Sequence, residues 1–487
     1  MPRLPSAIPT PVARSGWFKR FIFSFWVALA LVCTRLPLWA EEDTPPMLAT
    51  GTPNILLIVA DDLGIELGCY GDGQANTPHI DRLAEQGVRF ETAWVTAASC
   101  SPSRASIHTG LYPHQNGLTG LSHHGFSMNK RYPTIASLLK ERGYRTGLIG
   151  KFHIAPQDIC PWDFQFTEDI NRDVLADNRD VRTMALMAEG IMAGNTGPFF
   201  LMMSYNDPHA PLFNQRQGLP ENPVSADDVS ALGFSGYTSP ALRERTAGYY
   251  NCISRLDTGI GLLMDALERQ GKLDNTLVVL IGDHGAPFAR AKMSCYDRGL
   301  RIPLIAFGPG LVKGGRASKE LVSTIDLLPT FMEATGTRTP GGLPGKSLLP
   351  ILQGIHSDNK DGFIYASHYA HQKDAVFPMR AIRDKQYLLI ENLRPDSPRP
   401  RPEVDGCEIW PAVEGRPNEG VDVDTVYATY LKPPQSELYD LAADPYCFKN
   451  LAEVPSLQTV RRRLADKLNA WREETGDPLL FSVDSAP

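Results

Sequence analysis

The sequence predicts an α/β protein: a mainly parallel sheet sandwiched by helices, followed by a smaller α+β subdomain that contains an antiparallel sheet. Two observations predict it. Between Pro53 and about Gly354, short runs apolar on both faces alternate with amphipathic helical stretches, which is the pattern of strands buried under two helical layers. Around Phe363 this texture gives way to an antiparallel strand pair, a Pro- and Arg-rich loop and a last amphipathic helix. A chain of 487 residues, 43% hydrophobic and 21% charged, accommodates one large α/β unit and a smaller partner. The chain thus divides into a leader at 1–40, an α/β domain at 53–362 and an antiparallel-sheet subdomain at 363–487.

The leader comes first. Arg14, Lys19 and Arg20 precede an apolar stretch at 21–33, and Ala40 ends a cleavage region before Glu41, Glu42 and Asp43. The stretch is short for a bilayer span, so it reads as a cleaved export signal. A secreted or periplasmic protein follows (lysosomal in a eukaryote), without stable membrane insertion. Such a compartment permits disulfides, but Cys69, Cys160, Cys252, Cys295, Cys407 and Cys447 read equally as bridges or as buried thiols. The net charge of −7, with no long basic cluster, leaves no footprint for nucleic acid. It does not exclude an anionic substrate, because a few cations focused in a cleft outweigh the average.

Asn54–Ala60 is a buried-strand pattern. Thr77 and Pro78 open a helix carrying Ile80, Leu83 and Ala84 and closed by Gly87; a second, at 134–142, places Ile135, Leu138 and Leu139 on one face and stops at Gly143. Further strands are predicted at 147–150, Phe199–Tyr205 and 277–282. In the subdomain, 379–392 reads as the strand pair and 394–402 as the loop. Leu457, Val460, Leu464, Leu468 and Trp471 recur at helical spacing, ending at Gly476 and Pro478.

Ligands of open α/β sheets bind beyond the carboxyl ends of the strands. Here the strands run into Asp61 and Asp62, into Lys151 and His153, into Asp207 and His209, and into Asp283 and His284. Alone, an Asp pair reads as a turn and a loop His as a solvated side chain; convergence of all these ends on one rim points to a site. Asp61, Asp62 and Asp283 together would repel one another unless a cation joined them. Oxygen ligands favour Ca²⁺ or Mg²⁺, and the imidazole of His284 also suits Mn²⁺ or Zn²⁺. In Cys100-Ser101-Pro102-Ser103-Arg104-Ala105-Ser106, Pro102 suits a first helical turn, with Cys100 just ahead of it and Gly110 at the end. Helix N–H groups there favour an anion. On these residues alone Cys100 is either structural or a thiolate nucleophile that Arg104 assists.

The run Cys100-x-Pro102-x-Arg104, with Ala105, Thr109 and Gly110 after it, resembles the signature of the type I sulfatases. Asp61-Asp62, Gly150-Lys151-x-His153, Asp207-Pro208-His209, Asp283-x-Gly285 and the block holding Lys292, Tyr296, Gly299, Arg301 and Pro303 match in the family's order; Glu437 to Pro445 and Asn450 to Ala452 are similar to its C-terminal part. The resemblance covers roughly residues 53–478. It implies an alkaline-phosphatase-like fold, a divalent metal on Asp61, Asp62, Cys100, Asp283 and His284, and oxidation of Cys100 to formylglycine by a maturation enzyme. It also implies that Arg104, Lys151 and Lys292 offset charge on the sulfate and the aldehyde hydrate, that His209 or Lys292 protonates the leaving group, and that His153 accepts the proton when sulfate departs.

Within the family the chain is most similar to the sulfamidases, through Ser99 to Arg104, His114 to Gly117 with Gly120 and Leu121, and Phe377-Pro378-Met379-Arg380. That similarity implies a sulfated, glycosaminoglycan-type saccharide substrate, with His371 and Arg380 of the subdomain on it; His114, His123, His124 and His368 are further loop and pocket candidates. Two departures bear on this. His284 stands where most members have Asn, and Lys292 and Gln372 stand where animal sulfamidases have Arg and Glu. A carbohydrate O-sulfatase, or a phosphonate monoester or phosphodiester hydrolase of the same superfamily, is the alternative.

Overall fold

The computed structural model describes residues 51–167, 179–194, 196–355, 362–395, 397–399 and 416–480. The export signal and most of the Pro- and Arg-rich loop lie outside the described residues. The strands in chain order are β1 (Asn54–Ala60), β2 (Val88–Trp94), β3 (Arg145–Gly150), β4 (Phe164–Phe166), β5 (Phe199–Tyr205), β6 (Tyr237–Thr238), β7 (Thr276–Gly282), β8 (Arg301–Ile302), β9 (Leu304–Phe307), β10 (Arg316–Ser323), β11 (Ile364–Ala370), β12 (Val376–Arg383), β13 (Tyr387–Asn392), β14 (Arg416–Pro417) and β15 (Ser436–Asp440).

Every residue of β1, β5 and β7 is buried, as strands covered on both faces must be. They form the centre of a nine-stranded sheet ordered β10-β2-β9-β7-β1-β5-β3-β4, with β8 on β2. β1 runs parallel to both β5 and β7, and β3 parallel to β5. β9 is antiparallel to β2 and β7, so the sheet is mainly rather than wholly parallel. The shared direction gives the site its position. Ala60 is opposite Tyr205 and Gly282, and Gly150 is opposite Ser204. All four strands therefore release their polar residues along one edge, and backbone bonds carry the ladder one step further: Asp61 N–H donates to the Tyr205 carbonyl at 3.1 Å and Asp283 N–H to the Ala60 carbonyl at 2.9 Å.

The helices flank this sheet. Pro78–Gln86 begins with Pro at its first turn and ends at Gly87, Ile135–Glu141 is capped by the Thr134 side chain, and Pro240–Arg269 runs for 30 residues. Cys100–Thr109 is buried at all ten positions. Cys100 is its first residue, not the one ahead of it, because Ser99 takes the extended cap conformation and its carbonyl accepts Ser103 N–H at 3.0 Å. Gly110 ends the helix at φ 68°, where glycine carries no Cβ penalty.

A separate antiparallel sheet, β11-β12-β13-β15, carries the helix Gln458–Glu474. Leu464, Leu468 and Trp471 of that helix pack against Ile382, Leu389 and Leu438, and burying each of the two leucines contributes roughly 1.5–3 kcal/mol. Ser367 N–H donates to the Thr96 carbonyl at 2.8 Å, which ties this sheet to the segment leading into the Cys100 helix. The described cysteines are all free thiols, so the disulfide alternative does not hold among them. No helix of the described residues is long and apolar enough to cross a membrane.

Candidate active site

Asp61, Asp62, Cys100, Asp283 and His284 meet at the carboxyl edge of the sheet, each almost wholly buried. Metal-ligating atoms of Asp61, Cys100, Asp283 and His284 all lie within 4.8 Å of one another, as do those of Asp62, Cys100 and His209. His284 Nε2 joins the two sets, 3.1 Å from Asp62 Oδ1 and 3.3 Å from Cys100 Sγ. Asp62 sits at φ 65°, a left-handed conformation that a short polar side chain tolerates, with its N–H on Asp283 Oδ1 at 2.9 Å.

The donor set fits a divalent cation. Asp62 Oδ1 is buried yet accepts no hydrogen bond of normal geometry. Burial and the neighbouring Asp61 carboxylate push Asp283 up to about 7. Carboxylates crowded in this way are the expected signature of a site that a cation completes.

The surrounding cations and imidazoles are placed as follows. Lys151 forms an ion pair with Asp61, and its own N–H reaches the Ser204 carbonyl at 3.0 Å. Gly150 permits that approach: its φ is 101°, and a Cβ there would stand 1.9 Å from the Ser204 carbonyl oxygen. Lys292 Nζ lies 3.0 Å from Asp62, and His209 Nε2 lies 3.9 Å from it. Burial opposes ionisation of the Cys100 thiol, but Lys151, Lys292 and His284 together outweigh it and hold the thiol well below its ordinary value. Burial, reinforced by Lys151, lowers His153 to about 4. For His209, burial works downward and the Asp62 carboxylate outweighs it, so its pKa is raised.

Three further charged side chains have partners of their own. Arg104 is fully buried and turned toward the carboxylates: Nε donates to Asp283 at 2.9 Å, Nη2 lies 3.4 Å from Asp61, and Nη1 donates to Ser204 Oγ at 2.6 Å. These contacts brace the acidic cluster. Asp207 is absent from the cluster. Its carboxylate is gripped by Arg255 at 2.7 and 2.8 Å and by Arg179 at 3.2 Å. Arg380 reaches a cavity wall, with Nε and Nη2 bound to Asp477 at 2.8 and 2.7 Å. His371 reaches Ser99 Oγ at 3.0 Å, next to Cys100.

Of the loop histidines offered as candidates, His123 is joined to the site, with Nδ1 2.7 Å from His153 Nε2. Ser204, beneath Arg104, was missed although it carried a signal: it is the single hydroxyl-bearing aliphatic side chain in the otherwise apolar run Phe-Phe-Leu-Met-Met-Ser-Tyr of β5. His114 belongs to packing more than to chemistry, stacked on Tyr112 with Nε2 at 2.9 Å from Thr475 Oγ1.

Fold and site define an alkaline-phosphatase-like hydrolase, with its reacting centre at the strand ends of a mainly parallel sheet. The family model for sulfatases matches residues 53–337, and the model for the C-terminal part of N-sulphoglucosamine sulphohydrolase matches residues 282–396. Human N-sulphoglucosamine sulphohydrolase is 32% identical over 470 residues, covering 88% of this chain and 92% of that protein. An ulvan-active sulfatase of Formosa agariphila is 29% identical over 440 residues, covering 89% and 83%. The structure of BT4656 in complex with its substrate D-glucosamine-2-N,6-O-disulfate aligns with a TM-score of 0.66 at 20% identity, covering 88% of this chain and 98% of that one. The chain belongs to the sulfatase family and is a sulfuric ester hydrolase.

Proposed function

We propose that this sulfatase removes N-sulfo groups from glucosamine units of glycosaminoglycan-type saccharides, using formylglycine made from Cys100. The carrying observation is the placement of Cys100 Sγ within 4.8 Å of the ligating atoms of Asp61, Asp283 and His284. The choice of an N-sulfated sugar is supported by the match of the C-terminal region to N-sulphoglucosamine sulphohydrolase. Export through the 1–40 leader and a formylglycine-generating maturation enzyme complete this reading.

A hard cation, with Ca²⁺ the first choice, would be held by Asp61, Asp62, Asp283 and His284 and would supply positive charge against the sulfate oxygens. The aldehyde hydrate at position 100 supplies a hydroxyl where cysteine has a thiol. Arg104 keeps Asp61 and Asp283 in register beneath it. Lys151 and Lys292 bring ammonium groups to Asp61 and Asp62, where they offset charge that develops on the sulfate. His209, partly exposed beside Asp62, is placed to give a proton to the departing amine. His153, aligned by His123, is placed to accept the proton when sulfate is expelled.

Sulfate release from N-sulfoglucosamine, 6-O-sulfoglucosamine and a phosphonate monoester, measured side by side, tests the reading. Fastest release from the N-sulfated sugar is the expected outcome; preference for the 6-O-sulfate makes the enzyme an O-sulfatase, and preference for the phosphonate overturns sulfate specificity altogether. Peptide mass spectrometry tests the nucleophile. Conversion removes sulfur and two hydrogens from Cys100 and adds one oxygen, and a fully active protein with unconverted Cys100 contradicts the mechanism.

A further inference from the structure

Beside the amino end of the Cys100 helix lies a cavity of about 760 Å³ whose walls include Ser99, Pro102, His114, His368, Lys373 and Arg380. Its size falls within the roughly 300–1,000 Å³ of small-molecule sites and leaves room for far more than the group that is cut. Its charge is the informative property. No Asp or Glu is among the described residues that line it. The charge of Arg380 is matched by Asp477. Burial pushes His114 and His368 both down to about 3, so at neutral pH neither ring is charged.

Lys373 is what remains. It is exposed at the wall of the cavity, and among the described residues its ammonium has no ion-pair or hydrogen-bond partner. The side chain lies over Gly125, where a Cβ would stand 2.8 Å from Nζ. The segment carrying it is tied to the reacting centre. Leu121 N–H donates to the His371 carbonyl at 3.1 Å, and the His371 ring reaches Ser99 Oγ at 3.0 Å. Among the described lining residues, then, one uncompensated cation stands with no carboxylate beside it, which selects for negative charge on whatever fills the cavity.

We propose that Lys373 binds a second anionic group of the saccharide, a sulfate ester or a carboxylate at a position other than the scissile one, and so sets a preference for multiply anionic substrates. The proposal rests on the reading of this enzyme as a saccharide sulfatase, and adds the substrate class that the cavity accepts. The contact is exposed and therefore modest, screened by salt, and expressed in binding rather than in the chemical step.

The matured full-length enzyme is assayed on N-sulfoglucosamine, on N-sulfo-6-O-sulfoglucosamine and on a disaccharide joining N-sulfoglucosamine to a uronic acid. One of the two doubly anionic substrates is expected to have a kcat/KM about threefold higher than the first, through KM. Which one does so tells a sulfate ester from a carboxylate. In Lys373→Met that advantage disappears, in Lys373→Arg it is retained, and high salt shrinks it. An unchanged substrate ratio in Lys373→Met overturns the proposal. Calorimetric binding of the same saccharides to Cys100→Ala, with and without Lys373→Met, separates it from the reading it rests on. A Lys373-dependent affinity difference without any N-sulfate release by the wild type upholds the anion site and removes the N-sulfatase assignment. N-sulfate release without that affinity difference does the reverse.

Discussion

Asp207→Asn is expected to cost stability, because Asp207 is an anchor for two guanidinium groups and not part of the reacting centre. Its carboxylate is 1% exposed, accepts from fully buried Arg255 at 2.7 and 2.8 Å, and faces Arg179 at 3.2 Å. An Asn in its place offers one acceptor oxygen and turns an amide N–H₂ toward a guanidinium. Breaking one side of a buried ion pair costs about 3–5 kcal/mol. Carbonyls of Phe213 and Leu219 at 3.5 and 3.4 Å remain for Arg255, which places the expected loss at the lower end, about 3 kcal/mol. Against a total of roughly 5–15 kcal/mol, that is a large fraction. Urea unfolding followed by tryptophan fluorescence measures it, and kcat per folded molecule is measured alongside. Adding Arg255→Gln to Asp207→Asn removes the orphaned charge and is expected to restore part of the loss. A single variant within about 0.5 kcal/mol of wild type but with kcat abolished would return Asp207 to the chemistry and refute this reasoning.

Gly150→Ala drives a Cβ into the Ser204 carbonyl at a φ of 101°, and backbone cannot yield as a side-chain end does; a loss of about 3 kcal/mol and of kcat is expected, through displacement of Lys151 from Asp61, and a variant with a normal urea midpoint would contradict it. Burial acts against ionisation of Asp477, but Arg380 and Arg472 outweigh it and hold its carboxyl below the ordinary range. A folded value below the unfolded one, about 3.9, means stabilisation that is complete above that value and lost as pH falls through the lower folded one. The stability gap between wild type and Asp477→Asn is thus expected to be level near neutrality and to narrow in acid; a gap that widens on acidification reverses the sign and the explanation. Ca²⁺ added to metal-free protein is expected to raise the unfolding free energy with the logarithm of its concentration, by about 2.7 kcal/mol at a hundredfold excess over Kd, and Asp283→Asn to lose most of that response. Equal responses in the two proteins would place the cation elsewhere.

Much of the fold is written locally. The run Asn54–Ala60 is apolar at six of its seven positions, so no exposed face is available to it, and a parallel strand between helices is the structure that buries both. Pro78 and Gly87 bracket their helix because one lacks an N–H that the first turn does not need and the other ends the helix without a side-chain penalty. Strand ends carrying Asp, Lys and His marked the reacting edge for the same reason: in a parallel sheet all carboxyl ends point one way.

The sequence by itself therefore determined the layers, the edge that reacts and the identities of the residues gathered there. Tertiary structure alone decided which partner each charge takes. Arg104 meets Asp283 across 179 residues, Arg380 meets Asp477 across 97, and Asp207 meets Arg255 across 48. The physical reason is that a buried charge must find a counter-charge wherever the packed chain brings one. Periodicity reports which face of an element is buried, and nothing in it specifies the distant side chain that waits there.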